Sequence, residues 1–213
     1  MNISIITDGN NQLGMGHVYQ SMTLGNYLLE IMSSDDKLFF ITKSDENVIE
    51  LLKTTNCSVF HCVNDDMIFE KLKISKPDRV VFDKLDVTPE LAKNIKKYIA
   101  AKLIICTNLT EANKYADVTV LADIGSNFKN IIIKTEEGQT QYFGPKYWIM
   151  RPDFYYYNSL RKPKILEVKN IMLMFGGADP ENFSNAVLNK LFEMQDDFNI
   201  TLVLGTAFNY RKK

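Results

Sequence analysis

Gly14-Met15-Gly16-His17 follows a β-branched run, NISIIT (2–7), after an Asn/Gln-rich turn, and leads directly into a helix-period segment. Small residues at such a joint let a ligand approach the backbone, and the N–H groups of a helix start attract anions. A phosphate or a sugar oxygen suits that place. The helix dipole disfavours an imidazolium in the first turn, so His17 is expected to be a neutral base able to activate water or an acceptor hydroxyl. The alternative is a first-turn histidine that only packs or hydrogen-bonds.

MFGGADP (174–180) repeats the logic: a buried strand, Gly176-Gly177, then Asp179 as N-cap and Pro180 at the first helical position. It either faces an anion or is a tight turn whose aspartate only caps. Two glycine turns, each at the carboxyl end of the first strand of a Rossmann-like sheet, can face one another across a cleft.

Other chemistries find little support. The dinucleotide fingerprint needs a third glycine where Tyr19 stands, and no acidic residue closes the second strand; no GK[ST] is present for a P-loop. No cofactor is expected. Cys57, Cys62 and Cys106 form no CxxC pair, and His61, between two of them, lacks a further ligand, which favours a buried or edge-strand histidine over a metal site. Asp65-Asp66 reads as a helix start and Asp196-Asp197 as a turn. With 25 basic against 26 acidic residues, no field recommends nucleic acid as a partner. Tyr155, Tyr156 and Tyr157 beside Arg161 and Lys162 therefore read as an interdomain or subunit surface rather than a base-stacking platform. The chain lacks a cationic leader and any apolar run of about 18 residues, so a cytoplasmic protein without membrane insertion is expected.

The elements that must position these residues alternate. Strand-like runs occur at 2–7, 37–42, 57–63, 78–83, 102–107 and 117–123, with helix-period segments at about 16–32, 45–54, 65–73 and 88–99 between them. This pattern predicts an α/β fold with a parallel sheet covered on both faces. We read 1–145 as an N-terminal Rossmann-like domain, 146–168 as an interdomain connection preceded by a closing strand, and 169–213 as the start of a second Rossmann-like domain. That last part offers only strand, helix, strand, too few elements to bury both faces of a sheet. It is expected to be incomplete, or to dock on the first domain or on another copy by self-association.

With GMGH at 14–17, GPKYWIMRPDF at 144–154 and FGGADPEN at 175–182, the chain resembles the nucleotide-sugar hydrolases of pseudaminic acid biosynthesis and their spore-coat polysaccharide relatives. These are related to the MurG-like glycosyltransferases of the two-domain GT-B type. The resemblance implies a GT-B-like fold and His17 as the catalytic base that directs water at the anomeric carbon of a UDP-linked diacetamido-trideoxy sugar, releasing UDP. It places Gly14, Met15, Gly16, Gln20, Asp83, Tyr147 and Arg151 on the substrate, and Gly176, Gly177 and Asp179 near the nucleotide phosphates. The chain departs from the family at Gln20, where an arginine is usual; at Asp83-Lys84-Leu85, where D-x-Y is expected; and at Thr107-Asn108, where an acidic pair is common. Transfer to a saccharide acceptor and a non-catalytic sugar-nucleotide-binding module are the alternative functions.

Overall fold

The computed structural model describes residues 1–10, 14–122, 129–160, 167–194, 197–205, 208 and 210. The turn residues 11–13, Asp123, Arg161, Lys162, Asp196 and the basic end 211–213 lie outside them. The chain divides into two compact units, Met1–Gly9 with Gly16–Pro152, and Asn10–Met15 with Asp153–Lys213.

In the first unit, strands β1 (Asn2–Thr7), β2 (Lys37–Thr42), β3 (Ser58–His61), β4 (Arg79–Asp83), β5 (Lys102–Cys106) and β6 (Val118–Leu121) alternate with helices α1 (Gly16–Ile31), α2 (Glu46–Lys53), α3 (Asp65–Ser75) and α4 (Pro89–Tyr98). A 3-10 turn, Glu111–Tyr115, stands between β5 and β6. The helices start where polar side chains relieve unpaired N–H groups. Asp45 accepts from the N–H of Val48, Asn64 from Met67, and Thr88, followed by Pro89, from Leu91; each such cap is worth about 1 kcal/mol.

Among the described residues the sheet runs β3-β2-β1-β4-β5-β6, then continues with β8 (Thr140–Phe143) parallel to β6 and β7 (Ile131–Lys134) antiparallel on the outside. The expected closing strand is thus a hairpin, joined by a turn in which Gly138 takes φ +85°. A left-handed residue there is what lets two short strands reverse.

Parallel register puts Ile5 opposite Phe40 and Val81 on one face, and Ile6 opposite Ile41 and Phe82 on the other. The second face is closed by Ile68 and Leu72 of α3 and Leu91, Ala92 and Ile95 of α4, forming the main core with Phe82, Leu103 and Ile105. On the first face α1 lies tightly on β2, since a Cβ at Gly25 would stand 2.8 Å from the ring of Phe40. Coverage of this face is not complete, contrary to the expectation of a sheet buried on both sides. Beside Leu24 and Leu28 of α1 an apolar cavity of about 450 Å³ opens over Val81, Ile104, Cys106 and Val120. The physical reason lies in the connections: α3 and α4 both pack against the second face, and α1 and α2 cover the first mainly over β1 to β3, while β5 passes to β6 through a short 3-10 turn.

The second unit pairs β9 (Asn170–Met174) in parallel with β10 (Asn199–Val203), joined by α6 (Phe183–Glu193). Helix α5 (Pro152–Ser159) opens on the last residue of the first unit, and its Phe154, Tyr155, Tyr156 and Tyr157 are exposed. Pro180 is not the first helical residue, as the sequence had suggested. Asp179 and Asn182 adopt φ +43° and +54°, lengthening the turn so that α6 begins at Phe183.

Candidate functional site

The strand order places β2 and β3 on one side of β1, and β4, β5 and β6 on the other, so the sheet changes direction between β1 and β4. In open α/β sheets the crevice outside the carboxyl ends of the strands at such a point is where ligands bind. His17 sits there, in the first turn of α1, and its Nδ1 lies 2.8 Å from Oδ1 of Asp83, the last residue of β4.

Asp83 is fully buried. A carboxylate withdrawn from water costs several kcal/mol unless its oxygens find donors. Here Gln20 Nε2 donates to Oδ1 at 3.1 Å and Ser21 donates its hydroxyl to Oδ2 at 3.0 Å. His17, Gln20 and Ser21 stand at i, i+3 and i+4 of α1, so one helical face converges on one carboxylate. The Gln20 amide also reaches Thr107 Oγ1 at 3.2 Å, tying the end of β4 to that of β5. Thr107 takes φ +53°. Its neighbour Asn108, almost wholly buried, donates to the carbonyls of Lys84 and Leu85 and clamps the chain leaving β4.

A second polar cluster, which the sequence reading did not single out, lies alongside. Asp8, just past β1, accepts from the Thr42 hydroxyl, the Lys43 N–H and the buried Lys84 ammonium. Lys84 also meets Asp86 at 3.0 Å, and Lys43 pairs with Asp65 and Asp86. Burial pushes the Asp86 carboxyl up, but the Lys84 hydrogen bond and the charges of Lys84 and Lys43 outweigh it and leave the group below the usual carboxylate range. Burial likewise works against the Lys43 ammonium, yet Asp65 and Asp86 hold it above its usual value. Each of Asp8, Lys43 and Lys84 follows directly on an apolar strand, and that position is the signal that marks them.

The remaining expected residues fall as follows. Gly14 takes φ +79°, and its N–H donates to the Asn10 carbonyl at 2.8 Å, closing the turn before α1. A Cβ at Gly14 or at Gly16 would meet open space, so no packing neighbour demands their smallness; Met15 between them is half-buried. Tyr147 is half-buried with its ring edge-on to Tyr142, centroids 5.0 Å apart, on the wall of the apolar cavity. Arg151 is exposed near the end of the first unit. Cys106 is buried on the same sheet face as Asp83, and burial with the Asp83 charge drives its thiol far upward, making it inert.

In the second unit Gly176 takes φ +74°, and Gly177 lies against Gly205, where a Cβ would come within 2.2 Å of the Gly177 carbonyl oxygen. The buried Asp179 accepts from the N–H groups of Phe183 and Ser184, both at 2.8 Å. Burial opposes its charge, but the bonds from Ser184 and Phe183 hold the carboxyl below its usual range. The first N–H groups of α6 are therefore taken by the chain's own carboxylate.

His61 lies on the edge strand β3 and is exposed, and no metal-binding cluster of His, Cys, Asp or Glu exists among the described residues. Among those residues no helix is long and apolar enough to cross a membrane.

The first unit is thus a Rossmann-like parallel α/β sheet with a polar site at its direction change. No family model matches the chain. It is 42% identical over 214 residues to an uncharacterized protein, MJ1062, of Methanocaldococcus jannaschii, covering 99% of this chain and 44% of that protein. It is 26% identical over 218 residues to the spore coat polysaccharide biosynthesis protein SpsG of Bacillus subtilis, covering 97% of this chain and 60% of SpsG. The chain spans about half the length of these curated relatives. Among solved structures, the apo form of the lipopolysaccharide outer core galactosyltransferase WaaB aligns over 98% of this chain and 62% of its own, at 13% identity and a TM-score of 0.44.

Proposed function

We propose that this chain acts in sugar-nucleotide metabolism for surface polysaccharide or nonulosonic acid synthesis, binding a UDP-linked deoxy-acetamido sugar and releasing UDP by hydrolysis. The observation that carries the reading is the bond between His17 and the buried Asp83. A carboxylate on Nδ1 selects the tautomer that keeps its proton there, which leaves Nε2 as the basic nitrogen. In that state His17 takes a proton from water as the water oxygen attacks the anomeric carbon, and the bond from that carbon to the UDP oxygen breaks.

The bonds to Asp83 support its role and those of Gln20 and Ser21, and the resemblance suggests the rest. Asp83 orients the ring and stabilises the imidazolium that forms, while Gln20 and Ser21 hold Asp83. The backbone at Gly14, Met15 and Gly16 receives sugar or phosphate oxygens. Tyr147 and Arg151 contact the sugar nucleotide. Because Asp179 occupies the start of α6, the contact with the nucleotide phosphates falls to the turn at Gly176 and Gly177.

The test is UDP release from UDP-sugars by the purified chain and by His17→Ala. Removal of a general base lowers the rate by roughly 10²–10⁴-fold. Equal rates in the two proteins would remove His17 from the mechanism, and release that requires an added saccharide would replace hydrolysis by glycosyl transfer.

A further inference from the structure

The far edge of the eight-stranded sheet is β7, with β8 on one side and no strand on the other among the described residues. Its sequence is Ile131-Ile132-Ile133-Lys134, and the three isoleucines are 48%, 54% and 44% exposed. An edge strand with open backbone groups and β-branched apolar side chains on both faces is a template for pairing with another chain.

The register fixes which groups face outward. Thr135 donates its N–H to Gln139 across the hairpin, so residues of the same parity, Ile131 and Ile133, turn their backbone groups toward β8. Ile132 and Lys134 therefore present theirs to the open side. Two copies can pair antiparallel only in registers that set these outward residues against one another.

The flanking charges choose among those registers. Lys129 precedes the strand and the acidic turn Glu136-Glu137 follows it, all three exposed. The position of Lys129 is set by Gly144, which packs against its carbonyl, and by Asn130, whose side chain accepts from the Lys146 N–H at 2.8 Å. Antiparallel pairing about a two-fold axis at Ile133 brings Lys129 of each copy beside the acidic turn of the other. In that register Ile132 exchanges backbone hydrogen bonds with Lys134 of the second copy, and the two Ile133 side chains meet at the axis.

We propose that β7 is a self-association surface at which two copies of this chain join edge to edge, antiparallel about Ile133, into one continuous sheet. The interface lies in the first unit and does not depend on the proposed activity.

The test uses the whole chain with Cys57, the half-buried cysteine, changed to serine. Sedimentation velocity across a concentration series is expected to show a monomer–dimer equilibrium. Lys129→Glu should raise the dissociation constant by about tenfold or more through like-charge apposition, and the swap Lys129→Glu with Glu137→Lys should bring it back to within about threefold. Directly opposed residues that do not exchange backbone hydrogen bonds have Cα atoms about 4.5 Å apart, within disulfide range. Ile133→Cys should therefore give a disulfide-linked dimer under mild oxidation, and Ile132→Cys should not. A monomer at every concentration, a dimer indifferent to both charge changes, or cross-linking through Ile132→Cys in place of Ile133→Cys would each overturn the proposal.

Discussion

His17 and Asp83 are 66 residues apart in the chain and 2.8 Å apart in space, and the proposed chemistry depends on that closure. Asp83→Asn preserves shape but replaces an acceptor by a donor, which reverses the preferred tautomer of the ring and leaves Nε2 protonated. The expected outcome is a fall in kcat for UDP release of about 10²–10⁴-fold with the fold intact, read from steady-state kinetics beside circular dichroism. Ser21→Ala removes one of the donors to the carboxylate, worth about 1 kcal/mol, and should cost no more than roughly tenfold. If Ser21→Ala were as damaging as Asp83→Asn, the carboxylate would be serving the packing of α1 and not the imidazole. His17 was legible because a histidine after G-x-G at a helix start is an uncommon arrangement. Asp83 was reached only through the resemblance, at the position where D-x-Y is expected. Ser21 was not, since one small hydroxyl among apolar neighbours looks like ordinary core, and only its spacing of four from His17 betrays it. The Asp8–Lys84–Asp86–Lys43 cluster was hidden for another reason: its members are common residues scattered over 78 positions, joined only by strand order.

At the level of elements, the alternating strands and helices of the first unit were readable because β-branched runs end abruptly at capping residues. The hairpin of β7 and β8 was not, because its strands are four residues each and the pairing of β8 with β6 leaves no local pattern. The start of α6 was misplaced because a buried Asp179 can cap from three residues before the N-cap, which Asp-Pro in the sequence does not distinguish from a direct N-cap. Two glycines separate local preference from packing. Gly25→Ala improves helix propensity by about 1 kcal/mol but drives a methyl group toward the buried ring of Phe40, an overpacking cost of about 1–3 kcal/mol. The net expectation is a small loss of stability. Gly205→Ala meets the backbone of Gly177, which has no rotamer by which to yield, so β9 and β10 must separate at that end. Thermal denaturation should show a modest shift for the first variant, while amide exchange in the second should rise sharply and only across β9, β10 and α6. Equal and global effects would mean that the two contacts are of one kind.

Across the whole molecule, burial is unevenly shared. The first unit encloses Phe40, Phe82, Leu52, Ile68, Leu72, Ile95 and Leu103 with almost no exposure, while Leu173 is the single buried apolar residue among the described residues of the second. Apolar burial is the main favourable term in folding, at about 25 cal/mol per Å². Among the described residues, a two-stranded sheet with α6 and the exposed α5 has little of it to set against the entropy of ordering its backbone. The two units should therefore not share one transition. Hydrogen exchange followed by mass spectrometry is expected to give the slowest amides in β1, β4 and β5, which lie side by side within the sheet, and fast exchange in β9, α6 and β10 under the same native conditions. A differential scanning profile should correspondingly resolve a weak transition at low temperature from a main one. UDP supplies a control that links stability to the proposed chemistry, since a ligand that binds only the folded form raises the stability of the unit that holds it. If Gly176 and Gly177 receive its phosphates, added UDP should slow exchange in β9 and α6 before it affects β4. Protection confined to β1, β4 and α1 would place the nucleotide wholly in the first unit. Uniform exchange through both units, unchanged by UDP, would mean that the second unit draws its stability from contacts other than its own core.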